Sequence, residues 1–350
     1  MRRCRWILIM VLVMPLVTGG CGAPPRAHDA TDTTTTGPAW PPPPAEPRIR
    51  YVRSVSGPKD WGIEKSLFQR AIDNLVGHAD VSFVRPTAVA EQNGVLYIAD
   101  PGVPALWILD AAENRFVKAD RVGETAFLSP VAVAVRPDGA VFVADSALAK
   151  VFLVNPAGEL IRIAAEEGLE RPAGLAYDAD AQRLYVADAA KHSISVYGPD
   201  GALIATRGQR GTGDGEFNFP THLTLDRSGT MLVTDALNFR VQAFDRDGRF
   251  LWKLGHPGDG AGDFSAPKGV AADSEGHVYV VDALFDAVQI FDREGAVLLS
   301  FGEQGSRAGQ FWLPGGVFIT ARDQIFVADA YNRRVQVFLE VPAIGKETRN

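Results

Sequence analysis

Six aspartates set the register of this chain. Asp100, Asp145, Asp188, Asp235, Asp282 and Asp329 stand 45, 43, 47, 47 and 47 residues apart, and each closes a short apolar run. A proline opens an earlier apolar run before each of them, at Pro86, Pro130, Pro172, Pro220, Pro267 and Pro314. The unit is clearest from Pro267 to Phe301, where four apolar runs are separated by Asp-Ser-Glu-Gly, Asp-Ala-Leu-Phe and Asp-Arg-Glu-Gly. Such turn clusters between β-branched and aromatic runs predict four strands joined by hairpins, here called a, b, c and d. Six copies predict an all-β, six-bladed β-propeller of four-stranded blades over residues 48–341, in which radial repetition leaves only short sheet edges.

The last copy lacks a strand d, because only nine residues, 342–350, follow its strand c and they carry no apolar run. Residues 49–57 alternate as a strand and end in Gly57, as Phe250 to Gly255 does. This N-terminal segment is expected to complete blade six and close the ring. Between it and Pro86 lies a helical link, 58–85, with one short helix expected over 63–76. Ile63, Leu67, Ala71 and Leu75 form an apolar stripe with Phe68, Ile72 and Val76 beside them, and Gly77 supplies a stop. Links from strand d to the next strand a lie on the same face as the b–c loops, called the top, so the helix is expected to cover part of it.

The repeats resemble the NHL repeat family. The matching residues are Val278 to Asp282, Asn238 with Arg240, Val241 and Gln242, and Asn332 with Arg334, Val335 and Gln336. The links Gly208 to Phe217 and Gly302 to Phe311 fit the same pattern, and the resemblance covers residues 86–339. Blades one to three match less well, with Lys150 and Ser193 standing where Arg240 and Arg334 stand. The resemblance implies the fold; relatives are mostly binding scaffolds, with a minority of lyases and lactonase-like enzymes, so function has to be argued from sites.

Residues 1–20 place Arg2, Arg3 and Arg5 before an apolar run from Ile7 to Val17, which is too short to span a bilayer and reads as a secretion signal. Small residues followed by Cys21 resemble the lipobox of bacterial lipoproteins, which implies lipidation at Cys21 and a membrane-anchored protein of the bacterial envelope, with the outer membrane preferred. Residues 21–47, rich in Thr and Pro, read as a disordered tether in which Trp40 is incidental. The formal charge of −7 becomes −10 once the three signal arginines are removed. Nucleic-acid binders concentrate Lys and Arg on one face, so this acidic balance argues against a nucleic-acid partner.

The six strand-b aspartates read as corner residues rather than a calcium ring, since Asp accepts local backbone hydrogen bonds. The glycine-rich links 208–217, 255–264 and 302–311 lead into strands, whereas a phosphate cradle needs a helix N-terminus. At the channel mouth the aligned inner-strand positions are Ala88, Ala132, Gly174, His222, Gly269 and Gly316. A catalytic zinc takes about three protein donors, and this ring offers one, so neither a metal nor another cofactor is expected there. The b–c loops are richer: Leu237, Phe239, Leu284, Phe285 and Tyr331 stand beside Arg240, Arg333 and Arg334, with Leu148 and Lys191 in earlier blades. Aromatic and arginine side chains together make protein-binding hot spots. The expectation is a non-enzymatic, tethered propeller whose top face, including His222 at its centre, binds a protein, or a glycan or peptide. The alternative is a periplasmic lyase or lactone hydrolase working around His222.

Overall fold

The computed structural model describes residues 37–64 and 81–341. These form six antiparallel blades, with inner strands Ala88–Gln92, Pro130–Val135, Pro172–Asp178, Pro220–Leu225, Pro267–Ala272 and Val317–Ile319. Blade four shows the unit in full: Pro220–Leu225, Met231–Asp235, Arg240–Phe244 and Phe250–Leu254 pair in sequence order, a to d. Strands b and c are buried on both faces, whereas strand d alternates, with Leu251 47% exposed between half-buried neighbours. That gradient is why b and c read as continuous apolar runs.

Six apolar clusters fill the six gaps between neighbouring blades. Between blades four and five, for instance, Leu232, Val241 and Leu254 meet Val270, Val278 and Val280. The long links add Phe217, Phe264 and Phe311, each at most 1% exposed, and each loop folds back through a parallel bridge, Arg210 to Phe217, Pro257 to Phe264 and Gln304 to Phe311. Truncating such a buried phenylalanine to alanine costs about 3–5 kcal/mol.

The ring closes as expected. Ile49–Val55 pairs antiparallel with Arg334–Glu340, from Ile49 opposite Glu340 to Val55 opposite Val335. A second joint lies nearer the axis, where inner strands of different blades bond directly. The Gly269 N–H donates to the Gly315 oxygen at 3.1 Å, and the Gly316 N–H to the Thr87 oxygen at 2.8 Å. Glycine is required there, since a Cβ on Gly269 would fall 2.5 Å from the Val317 nitrogen.

The tether expected to run disordered to residue 47 is ordered over its described part. Ala39–Trp40 adds a fifth strand outside Ile49–Val55. Trp40, read from sequence as incidental, packs its ring 5.6 Å from Phe301 and 5.9 Å from Phe338, over Gly309. An aromatic next to an exposed edge strand gains by covering it, which outweighs the low apolar content of its neighbours. Ile63 is buried with Trp61 and Phe83 between blades six and one; the expected helix from residue 65 onward lies outside the described residues. So do the signal 1–20, Cys21 and the tail 342–350. Among the described residues the helical structure is two 3-10 turns, Pro58–Trp61 and Ala236–Asn238, and no helix is long and apolar enough to cross a membrane.

Candidate functional site

The corner aspartates build the top face. All six are fully buried. Asp282 accepts the backbone N–H of Ser265 at 2.7 Å and Ala266 at 3.0 Å from the link before its blade, and those of Leu284 at 3.0 Å and Phe285 at 3.2 Å from its own b–c loop. Asp100, Asp145 and Asp188 repeat this pattern. Each carboxylate therefore fastens a link to a loop, satisfying donors that would be costly to leave bare. The backbone is turned inward to the acid, and several of the side chains at these positions are turned out.

The outward side chains include large apolar groups. Leu237, Leu284 and Tyr331 occupy the second position after their aspartates and are 53%, 61% and 49% exposed. From the links come Leu128 and Trp312, 57% and 49% exposed, whose backbone N–H groups donate to Asp145 and Asp329. Trp312 stacks on Tyr331 with ring centroids 5.6 Å apart. Sequence reasoning from the b–c loops does not reach Trp312 and Leu128, which lie in the links. Their signal was the repeat itself: both stand 17 residues before a corner aspartate, where Asn218 and Ser265 occur in blades four and five. Arg333 is exposed beside them, in a left-handed turn with φ 58°.

Arg240 and Arg334, expected as top-face binding residues, are structural. The Arg240 Nε donates to Asp235 at 2.8 Å while its two terminal nitrogens donate to the carbonyl oxygens of Thr212, Gly213 and Glu216 at 2.8–2.9 Å. Arg334 donates from Nε to Asp329 and from one terminal nitrogen to the carbonyls of Arg307 and Gln310, each at 2.8 Å. Asn238 and Gln242 complete the stitching of link to blade through Gly211, Gly215 and Glu216. The Asn-x-Arg-Val-Gln motif thus serves loop geometry, with four of the five Arg240 donors and three of the five Arg334 donors spent on the fold. Phe239 is also corrected: it is half-buried against the core between blades four and five. Phe285 is half-buried as well, and Leu148 packs on the core between blades one and two.

The glycine-rich links present no free amide cradle. Glu216 caps the Gly213 N–H at 2.9 Å, and Asp263 caps that of Gly260 at 2.8 Å. His192 accepts the Phe219 N–H on Nδ1 at 3.0 Å, and His256 pairs with Asp263 at 2.6 Å.

His222 lies on the inner strand of blade four, its backbone so close to blade three that a Cβ on Gly174 would lie 2.8 Å from the His222 Cα. Both ring nitrogens are out of contact with solvent and make no hydrogen bond among the described residues. Burial, with a smaller contribution from the Lys268 charge, pushes its pKa down to about 3. Imidazole is therefore neutral at this position and a weak base.

Fold and site together define a six-bladed β-propeller with an apolar, aromatic-bearing top face. No family model matches the chain, and no curated protein matches it. Solved structures do. An auxiliary nutrient binding protein from Bacteroides ovatus is similar with a TM-score of 0.58 at 14% identity, over 74% of this chain and 70% of that one. A protein of unknown function from Bacteroides thetaiotaomicron gives 0.56 at 16%, over 75% and 70%. Virginiamycin B lyase from Staphylococcus aureus gives 0.55 at 11%, over 74% and 96%. At these identities the likeness concerns the fold.

Proposed function

We propose that this chain is a non-enzymatic, NHL-type propeller, exported and tethered to the bacterial envelope through lipid on Cys21, that binds a protein or peptide partner on its top face. The observation that carries this reading is the tilted Trp312–Tyr331 pair, half exposed beside Arg333, with Tyr331 in the same structural register as Leu237 and Leu284. Large rigid aromatics and an adjacent arginine are what binding hot spots are made of, and contiguous exposed apolar groups mark interaction sites. The Bacteroides ovatus neighbour, an auxiliary nutrient binding protein, uses the same fold for binding, though of a nutrient rather than a protein.

Acid–base chemistry at the axis is less well supported. A general base works best with a pKa near the operating pH, and His222 lies at about 3.

The test is a photo-crosslinking residue placed at Leu284, in cells of the source organism. A discrete adduct that disappears with Trp312→Ala supports the reading; adducts unchanged by that variant, or none, refute it. Mass spectrometry of the mature N-terminus tests the tether: acylated Cys21 supports it, and an unmodified terminus elsewhere removes it.

A further inference from the structure

The opposite face, where the a–b turns lie, holds a donor set that the top-face reading does not use. Asp273 follows Pro267–Ala272, His277 precedes Val278–Asp282, and Glu340 ends Arg334–Glu340 of the next blade. One ligand atom from each lies within 4.8 Å of the other two. Asp273 is buried, and its Oδ1 is fixed by the backbone N–H groups of Glu275 and His277, both at 2.9 Å. Its Oδ2 thereby faces the His277 Nδ1 at 2.8 Å. The Tyr279 hydroxyl donates to the same Oδ2 at 3.2 Å and holds it from behind.

Glu340 arrives from blade six without a matching charge. Its carboxyl group has no hydrogen-bond donor or salt-bridge partner among the described residues, and the titratable groups around it are Asp273, Asp323, Glu275 and His277. Asp323 itself is engaged by the Ser274 N–H and hydroxyl, at 2.8 and 2.6 Å, and by Arg227 at 3.5 Å. Packing of two blades has therefore brought the Glu340 carboxyl, whose anion is disfavoured by burial and by Asp273, against a second carboxylate and an imidazole. A bound cation relieves that repulsion.

We propose that Asp273, His277 and Glu340 form a divalent transition-metal site of the zinc class, bridging blades five and six. The donor set selects the metal: calcium and magnesium take oxygen ligands, whereas imidazole with carboxylates suits zinc and its first-row neighbours. Three protein donors leave a coordination position for water. Tyr279 acts as the outer partner that orients a ligating carboxylate. Glu340 is also the residue paired with Ile49 in the terminal rung of the ring closure, so the ion fastens blade five to the strand on which the closure depends.

The test is calorimetric titration of the full chain with Zn²⁺ after chelator treatment and dialysis, with Ca²⁺ as the comparison. The expected result is one zinc per chain, weaker calcium binding, and a raised melting temperature with zinc. His277→Ala and Glu340→Gln should each weaken zinc binding at least about tenfold and abolish the thermal shift. His256→Ala is the control, because His256 and Asp263 are an exposed histidine–carboxylate pair outside this cluster. Metal-free melting of each variant reports its folding, and Glu340→Gln, which keeps the side chain's shape, decides the matter if His277→Ala does not fold. The absence of stoichiometric zinc, tighter binding of calcium, undiminished binding by Glu340→Gln, or an equal loss in His256→Ala overturns the site.

Discussion

The Tyr331 backbone N–H donates to the Trp312 carbonyl oxygen at 3.2 Å, and the two rings stack at 44° with centroids 5.6 Å apart. One residue comes from the link into blade six and the other from its b–c loop. Asp329 holds the link from below through the Trp312 N–H at 2.9 Å. The pair is thus fixed before any partner arrives, which lowers the ordering cost of recognition.

Trp312→Ala and Tyr331→Ala should each weaken partner capture by about 2 kcal/mol or more while leaving the melting temperature nearly unchanged. The backbone bond to Asp329 survives the first substitution. Binding measured by surface plasmon resonance against the crosslinked partner, alongside thermal melts, separates the two effects; equal loss of stability would assign the pair to packing instead.

Arg240→Ala should behave oppositely. It leaves Asp235, fully buried, without its cation and takes one donor from each of three carbonyls of the preceding link, so a loss of about 3–5 kcal/mol in urea unfolding is expected. Lysine should not restore it, since one ammonium cannot reproduce the guanidinium fork. Arg333→Ala, exposed on the same face, should cost almost nothing in stability.

Two truncations probe the closure. Removing residues through 47 deletes Trp40 and should cost about 1–3 kcal/mol, less than a fully buried aromatic because Trp40 is half-buried. Starting the chain at Pro58 removes Ile49–Val55 as well and bares the edge of Arg334–Glu340, so loss of cooperative unfolding or aggregation is expected. Equal denaturation midpoints for the full chain and both truncations would reject this account.

His222 sets a pH dependence. In the unfolded chain its imidazole takes a proton near pH 6.5, and in the folded chain only near pH 3. Between those values the unfolded state holds more protons, so stability falls as the pH is lowered; above 6.5 both states are neutral and the contribution is complete. His222→Gln should flatten the decline between pH 6.5 and 4.5 by on the order of 2 kcal/mol, read from urea midpoints at the two pH values. An unchanged slope would show that the imidazole is hydrated in the fold.

The ring, its blade count and its closure were legible because each rests on a period: Asp235, Asp282 and Asp329 recur at 47 residues, and the missing strand d pointed to residues 49–57. The site was legible only in part. Leu237, Leu284, Tyr331 and Arg333 are exposed where loop position predicts. Arg240 and Arg334 were misplaced because a one-residue reading takes arginine as solvated, whereas the long link folding over them supplies carbonyls that sequence spacing does not locate. Trp40 failed for a similar reason. Its partners Phe301 and Phe338 are some 260 and 300 residues away, and composition cannot express a contact of that range. The donor set on the lower face was invisible because Glu340 joins Asp273 and His277 only across a blade boundary.

The ring is sealed at two radii, by the outer strand Ile49–Val55 and by the inner bonds of Gly269 to Gly315 and Gly316 to Thr87. A wheel joined at both hub and rim resists opening differently from one joined at the rim alone. If the N-terminal strand peels away, the rim splits beside blade six while the hub still holds blades five, six and one together. The first step of failure is then a gape rather than a break, with the gap on the outer circumference and the axis intact, and re-sealing needs only the strand to return to a waiting edge.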